Sequence, residues 1–243
     1  MIKDKRTQIA ALFAKASAKG VTKEESEALT AKAVQLMNKY QIEDAEIRGI
    51  DPGAQARARI ETKDFFVSNK AGRADFRKDA IRYVVSAYAA RMVQTKFRDG
   101  SYKLTLVATV STLDMLGMLI PSLLEQIEYH VNKASRQYVR EQKRIFADTS
   151  YIYSQAARFR KDYTTYYGIG VAEIIENAKN AEAAKAGALV LVEDKKRVDE
   201  EFDNLFGELR RTRKRRVQRV NHDGALAGFQ AGKKANLVGT PVL

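Results

Sequence analysis

The stretch from Tyr102 to Val139 limits the folds open to this chain more than any other, because its periodicity changes partway along. Tyr102, Leu104, Leu106, Ala108 and Val110 alternate with Lys103, Thr105, Val107 and Thr109. A period of two is that of a strand with one buried face. From Thr112 the apolar residues Leu116, Ile120, Leu123, Leu124, Ile127 and Val131 fall at helical spacing. A strand that feeds directly into a long amphipathic helix is the densest apolar feature of the sequence, so the rest is expected to pack on it. Pro121 lies inside the helical pattern, and apolar spacing continues on both sides of it. That favours one kinked helix over two helices meeting there.

Upstream, residues 1–47 read as two short helices. Ile9, Leu12, Phe13 and Ala16 make the apolar face of the first, and Gly20 is a natural stop. Thr22 followed by Glu25 is a capping-box pattern, and Leu29, Ala33, Leu36, Met37 and Tyr40 make the face of the second helix. A DNA-reading helix-turn-helix would suit this layout. The acids Glu24, Glu25 and Glu27 suit a phosphate backbone poorly, so simple packing of a helical hairpin is the preferred reading. Residues 48–73 hold Pro52, Gly53 and Gly72 without a long periodic run and read as a linker, with a short strand over Ile60 to Val67. A helix follows from Ala74, with Arg77, Ala80, Ile81, Val84, Val85 and Tyr88 on one face. Met92 to Phe97 is a strand, and Arg98-Asp-Gly-Ser101 is a hairpin turn.

Downstream, the pattern is less regular. Tyr151, Tyr153, Tyr163, Tyr166 and Tyr167 crowd one segment, and Gly168 and Gly170 weaken any helix locally. Ala188-Leu-Val-Leu-Val192 is a short, fully apolar run that reads as a buried strand, and helical spacing resumes through Val198, Phe202, Leu205 and Phe206. Gly224, Gly228 and Gly232 are four apart. On a helix they form one bare face that lets another backbone approach closely, as tight packing or as an interface; in a loop they would not. The expected fold is therefore α+β. It comprises an N-terminal helical hairpin (1–47), a linker (48–73), a core of a small antiparallel sheet packed with long helices (74–206), and a basic, glycine-rich C-terminal segment (207–243).

Composition narrows the chemistry. The chain has 243 residues, of which 45% are hydrophobic, and it has no cysteine, which removes disulfides, thiolate nucleophiles and cysteine-bound zinc together. The N-terminus has no uninterrupted apolar region of the signal-peptide kind, and no run is long enough to span a membrane. His130 and His222 are the two histidines, and neither sits in a metal-binding or triad pattern. The carboxylate pairs are adjacent in sequence and so point in different directions on a helix. No phosphate-binding glycine loop is present. Catalytic and metal-binding residues, cofactors and small-molecule ligands are accordingly not expected.

The formal charge is +13, and it is unevenly spread. From Leu205 to Leu243 nine Lys/Arg face two acids. Arg210, Arg211, Arg213, Lys214, Arg215, Arg216 and Arg219 form a basic run with no acid within it, where a merely solvated helix would alternate signs. Nucleic acid is the commonest polyanion that such a run meets, and an acidic protein surface is the rival. Tyr163, Tyr166 and Tyr167 could stack bases, though core packing is the simpler use.

The segment IAALFAKASAKGVTKEESEALTAKAVQLMNKYQIEDAEI resembles the DUF2786 family, through Glu27, Ala28, Ala31, Lys32, Ala33, Leu36, Met37, Tyr40 and Ile42. The stretch Leu104–Ile127 is similar to the α+β region that follows in such proteins, with Thr109-Val110-Ser111 in place of the usual glycine-containing turn. The resemblance implies a phage, prophage or mobile-element protein and carries no catalytic residues. Its most specific implication is a recombination directionality factor, which binds a serine integrase in the host cytoplasm and favours excision. In that mechanism the apolar and glycine-faced surfaces, Gly224, Gly228 and Gly232 among them, meet the integrase, and the basic run meets DNA or an acidic partner. A stand-alone DNA- or RNA-binding regulator, a metal-dependent nuclease and a virion-associated protein are the alternatives.

Overall fold

The change of period within Tyr102–Val139 is where strand gives way to helix in the computed structural model, which describes residues 2–16, 21, 22, 25, 28, 29, 32–37, 39, 40, 59–183, 188–207 and 220–235. Strand β1 is Ile60–Val67, β2 is Arg91–Lys96 and β3 is Tyr102–Thr109; they form one antiparallel sheet in the order β1-β3-β2. Leu104 of β3 stands opposite Phe65 on one side and Gln94 on the other. The central position of β3 follows from its alternation, since Tyr102, Leu104, Leu106 and Ala108 are all buried on one face. The turn before it is built as the sequence suggests. Gly100 donates to the Phe97 carbonyl at 3.0 Å, and its φ of 80° is one that glycine adopts freely. Val107, on the face expected to be polar, is also fully buried, against Val198 and Phe202.

Thr109 closes the strand, and its hydroxyl accepts from the Thr112 N–H at 3.4 Å. Val110 thus opens the helix instead of ending the strand. The helices in chain order are α1 (Ile2–Ala16), α2 (helical at 25, 28, 29, 32–37, 39 and 40), α3 (Ala74–Ala87), α4 (Val110–Ile145), α5 (Thr149–Ala183), α6 (Ala188–Phe206) and α7 (His222–Lys234). Helix α4 runs unbroken for 36 residues through Pro121, whose side chain is exposed. The capping box is present: the Thr22 N–H donates to the Glu25 carboxylate at 3.0 Å, and the Glu25 N–H donates to the Thr22 hydroxyl at 3.3 Å. Ile9 and Phe13 of α1 and Ala33, Val34, Met37 and Tyr40 of α2 join the same buried core as the sheet, α3, α4 and α5.

Two expectations are corrected and one is met. The run Ala188–Val192 is not a buried strand. It is the first part of α6, and Val192 is 54% exposed. Five apolar residues cannot distinguish the two periods, and the helical spacing of Val198 and Phe202 extends back through them. The short strand expected over Ile60 to Val67 is present as β1, which pairs with β3 along its whole length. Gly168 and Gly170 do not interrupt α5, which continues through both for 35 residues. They are sites of close approach: a Cβ on Gly168 would lie 2.5 Å from Ala80 Cα of α3, and one on Gly170 would lie 2.5 Å from the Phe229 carbonyl oxygen of α7.

Helices α4 and α5 form a long antiparallel hairpin. Tyr138 stacks on Phe159 at 4.5 Å, and His130 lies 5.9 Å from Tyr167, so the pairing runs in opposite directions. Phe159, Tyr163 and Tyr167, one turn apart on α5, form a column of rings at 5.9 and 6.3 Å. Their backbone is what α7 rests on. A Cβ on Gly224, Gly228 or Gly232 would come within 2.6, 2.2 or 2.3 Å of the carbonyl oxygen of Phe159, Tyr163 or Tyr167 respectively. The glycine spacing of α7 therefore matches the aromatic spacing of α5.

Candidate nucleic-acid interface

The second half of α4 and the first half of α5 line a cavity that holds three arginines. On α4, Asn132, Ser135, Arg136, Val139 and Arg140 recur at three- and four-residue spacing and so share one face. Tyr153 and Arg160 of α5, two turns apart, complete a cavity of about 450 Å³. Arg160 donates from Nη1 to the Ser135 hydroxyl at 3.3 Å, and Arg140 donates from Nε to the Arg136 carbonyl at 3.3 Å. Among the described residues no carboxylate pairs with Arg136, Arg140 or Arg160. Burial, and secondly the neighbouring charge of Arg73, hold the Arg160 guanidinium below its ordinary range. A site that already disfavours its own positive charge is one that an anion relieves.

The adjoining cluster is neutralised. Glu128 accepts from Arg77 Nη2 at 2.7 Å and also pairs with Arg73. Asn132 joins the two groups, accepting from Arg73 at 3.2 Å and donating to Glu128 at 3.3 Å while its side chain lines the cavity. Burial raises the Glu128 pKa, but the Arg77 hydrogen bond and the charges of Arg73 and Arg77 outweigh it and hold the carboxyl below its usual range.

The surroundings are basic and aromatic. Residues 133–162 carry eight Lys/Arg against three acids. Each acid is engaged: Glu141 with Gln137, Asp148 with the first N–H groups of α5, and Asp162 with the Asn221 N–H at 2.7 Å. Phe146, Tyr151 and Tyr153 are 41, 43 and 52% exposed. Phe146 and Tyr151 meet edge to face at 5.1 Å, and the Lys143 ammonium lies 5.7 Å over the Tyr153 ring. Guanidinium donors with exposed rings between them are the components of a phosphate-and-base surface. The lining itself contains no carboxylate, imidazole or thiol. A second cavity beside α6, lined by Arg59, Arg197, Glu61, Glu200 and Glu201 among others, mixes both signs and has no such bias.

The residues singled out from sequence fare differently. Arg210, Arg211, Arg213, Lys214, Arg215, Arg216 and Arg219 lie outside the described residues. Gly224, Gly228 and Gly232 do form a bare helical face, as expected, but its occupant is the chain's own α5. That face is buried, which is the tight-packing use of the spacing. Tyr163 and Tyr167 are buried in the core, so they are not base-stacking residues. His130 is half-buried beside Tyr129 and Tyr167, and exposed His222 opens α7. Among the described residues no three His, Asp or Glu side chains come together as a metal site requires, and no helix is long and apolar enough to cross a membrane. Sequence reasoning missed Arg136, Arg140, Tyr153 and Arg160. The signal was the spacing of Lys133, Arg136, Arg140 and Lys143, one stripe of an amphipathic helix, which a charge count over residues 1–204 averages away.

No curated protein and no solved structure matches the chain. Residues 6–44 match the model of one family, described as a protein of unknown function. That match covers α1 from residue 6 onward and the described part of α2, with the capping box, and includes Glu27, Ala28, Ala31, Lys32, Ala33, Leu36, Met37, Tyr40 and Ile42, which carry the N-terminal resemblance. Over residues 6–44, then, the chain is similar to the DUF2786 family.

Proposed function

We propose that this protein is a non-enzymatic accessory protein that binds the phosphates of nucleic acid through the α4–α5 hairpin. The observation that carries the reading is the cavity where Arg136, Arg140 and Arg160 converge with no carboxylate among the described residues. Guanidinium groups placed this way favour an anion by charge and by planar donor geometry. The test is the salt dependence of binding, read by fluorescence anisotropy. Each phosphate contact contributes a slope of about −0.7 to −0.9 in log affinity against log salt. Replacing Arg136, Arg140 and Arg160 together by alanine flattens the slope by about 2 if the reading holds. An unchanged slope refutes it. Replacing Arg213, Lys214, Arg215 and Arg216 measures the C-terminal run separately.

The finer form of the proposal is a phage or mobile-element recombination directionality factor acting in the host cytoplasm. What supports it is the family resemblance. With the glycine face occupied, an integrase meets the protein at some other surface. Binding to a serine integrase with and without attachment-site DNA, together with a shift of products toward excision, tests this form. DNA binding with no integrase association leaves a stand-alone nucleic-acid-binding protein.

A further inference from the structure

We infer that the nucleic acid held at this cavity is single-stranded, with one nucleotide seated inside: its phosphate among Arg136, Arg140 and Arg160, and its base against Tyr153. The inference rests on the phosphate-binding reading above and deepens it. Three observations lead to it. The first is size. An open groove of about 450 Å³ has the volume of a small-molecule site, roughly 300–1,000 Å³, and leaves one side clear for the rest of a strand. A paired nucleotide would have to leave its stack to enter, whereas a nucleotide of a single strand is already free to do so.

The second is the aromatic composition. Tyr153 lines the cavity yet is 52% exposed, and Tyr151 and Phe146 stand exposed close by in sequence, at the hairpin turn. Rings left in water at a folded protein's surface contribute little to its core. They offer flat apolar faces that the internally stacked bases of a duplex cannot use and that unstacked bases can. The third is the arrangement of charge. Arg136, Arg140 and Lys143 follow one another along α4 about one helical turn apart, a rise of about 5.4 Å per turn. They track a strand that runs along the hairpin. Asn132 and Ser135 line the same cavity and supply hydrogen-bonding groups within it.

The test uses the full chain, a short labelled DNA oligonucleotide and the same oligonucleotide annealed to its complement, at one salt concentration. Expected are tighter binding of the single strand, a loss of about tenfold on Tyr153→Ala for the single strand with the duplex unchanged, and near-normal binding by Tyr153→Phe. Tyr153 is half exposed, so the alanine variant keeps its fold, and an unchanged Tm verifies this. Duplex binding equal to or tighter than single-strand binding, or no loss in Tyr153→Ala, overturns the inference while leaving the phosphate reading in place. Absence of binding to either form overturns both. Free deoxynucleotide monophosphate is the remaining arm. Displacement of the oligonucleotide only at a large excess supports a strand, and equal potency assigns the cavity to a small molecule and overturns it.

Discussion

Replacing Gly228 by alanine separates two opposite expectations. In an isolated helix the change stabilises by about 1 kcal/mol, because glycine is the poorer helix former. In this protein the added Cβ would lie 2.2 Å from the Tyr163 carbonyl oxygen, 2.7 Å from its Cα and 2.8 Å from its carbonyl carbon. All three obstacles are backbone atoms inside α5, so no side chain can swing aside. Helix α7 must retreat by more than an ångström, which also loosens the contacts at Gly224 and Gly232. Overpacking costs about 1–3 kcal/mol, and a backbone obstacle places this case at the upper end. After the gain in helix propensity, the net destabilisation is about 2 kcal/mol. For a chain of this length that lowers Tm by about 4–8 °C. Calorimetry and urea unfolding followed by circular dichroism measure it. Leu226→Ala, on the exposed side of the same helix at 60% exposure, is the control and stays within about 0.5 kcal/mol of the parent. A Gly228→Ala protein as stable as the parent, or more so, refutes the backbone contact between α5 and α7. If the contact is real, adding Gly232→Ala to Gly228→Ala costs less than the two single effects together, since one retreat serves both.

Removing the Glu128 carboxylate by Glu128→Ala leaves Arg73 and Arg77 without their shared partner and destabilises by about 2 kcal/mol in chemical unfolding. Because the folded protein holds this carboxyl below its ordinary range, its contribution is present above the unfolded pKa and is lost as pH falls through the folded one. Stability curves of parent and Glu128→Ala therefore converge in acid, and a constant gap down to low pH contradicts the ion pair. Thr22→Ala removes the capping box and costs about 1 kcal/mol, measured by unfolding. Burial pushes Tyr163 up to about 12. Its folded form favours the neutral phenol, so that contribution is full below the unfolded pKa and is lost as pH rises toward the folded one. In an alkaline absorbance titration Tyr163→Phe removes amplitude only at the high end, and a loss near pH 10 contradicts the burial. Phe202→Ala opens the small cluster beneath α6, where the Arg91 guanidinium lies 4.4 Å over the ring, and costs about 3 kcal/mol.

Local order was readable from the sequence, whereas contacts between distant segments were not. The strand-to-helix change at Thr109, the Asp99-Gly100 turn and the Thr22–Glu25 box each depend on a few neighbouring residues whose chemistry admits one solution. The spacing of Gly224, Gly228 and Gly232 shows that a backbone must come close, but not which one; the answer lies at Phe159, Tyr163 and Tyr167, in another helix. The same holds at the cavity. Arg160 and Ser135 are brought together across 25 positions, and Glu128 reaches back 51 and 55 positions to neutralise Arg77 and Arg73. Whether an arginine is free or paired is decided by such contacts, which a composition count cannot register. Ala188–Val192 fails for a different reason. A run shorter than two helical turns carries no period, and its helical state is set by the turns that follow.

The cap of α7 has a consequence beyond its helix. Asn221 accepts from the Gly224 N–H at 2.8 Å, donates its own N–H to Asp162 at 2.7 Å, and lies 3.4 Å from the Tyr138 hydroxyl. It is thereby moored to both limbs of the hairpin, next to Val139 and two positions from Arg160. Three bonds from one residue thus tie the start of α7 to α4 and α5 at once, so the docking of α7 and the spacing of the two hairpin limbs are set together by a single asparagine.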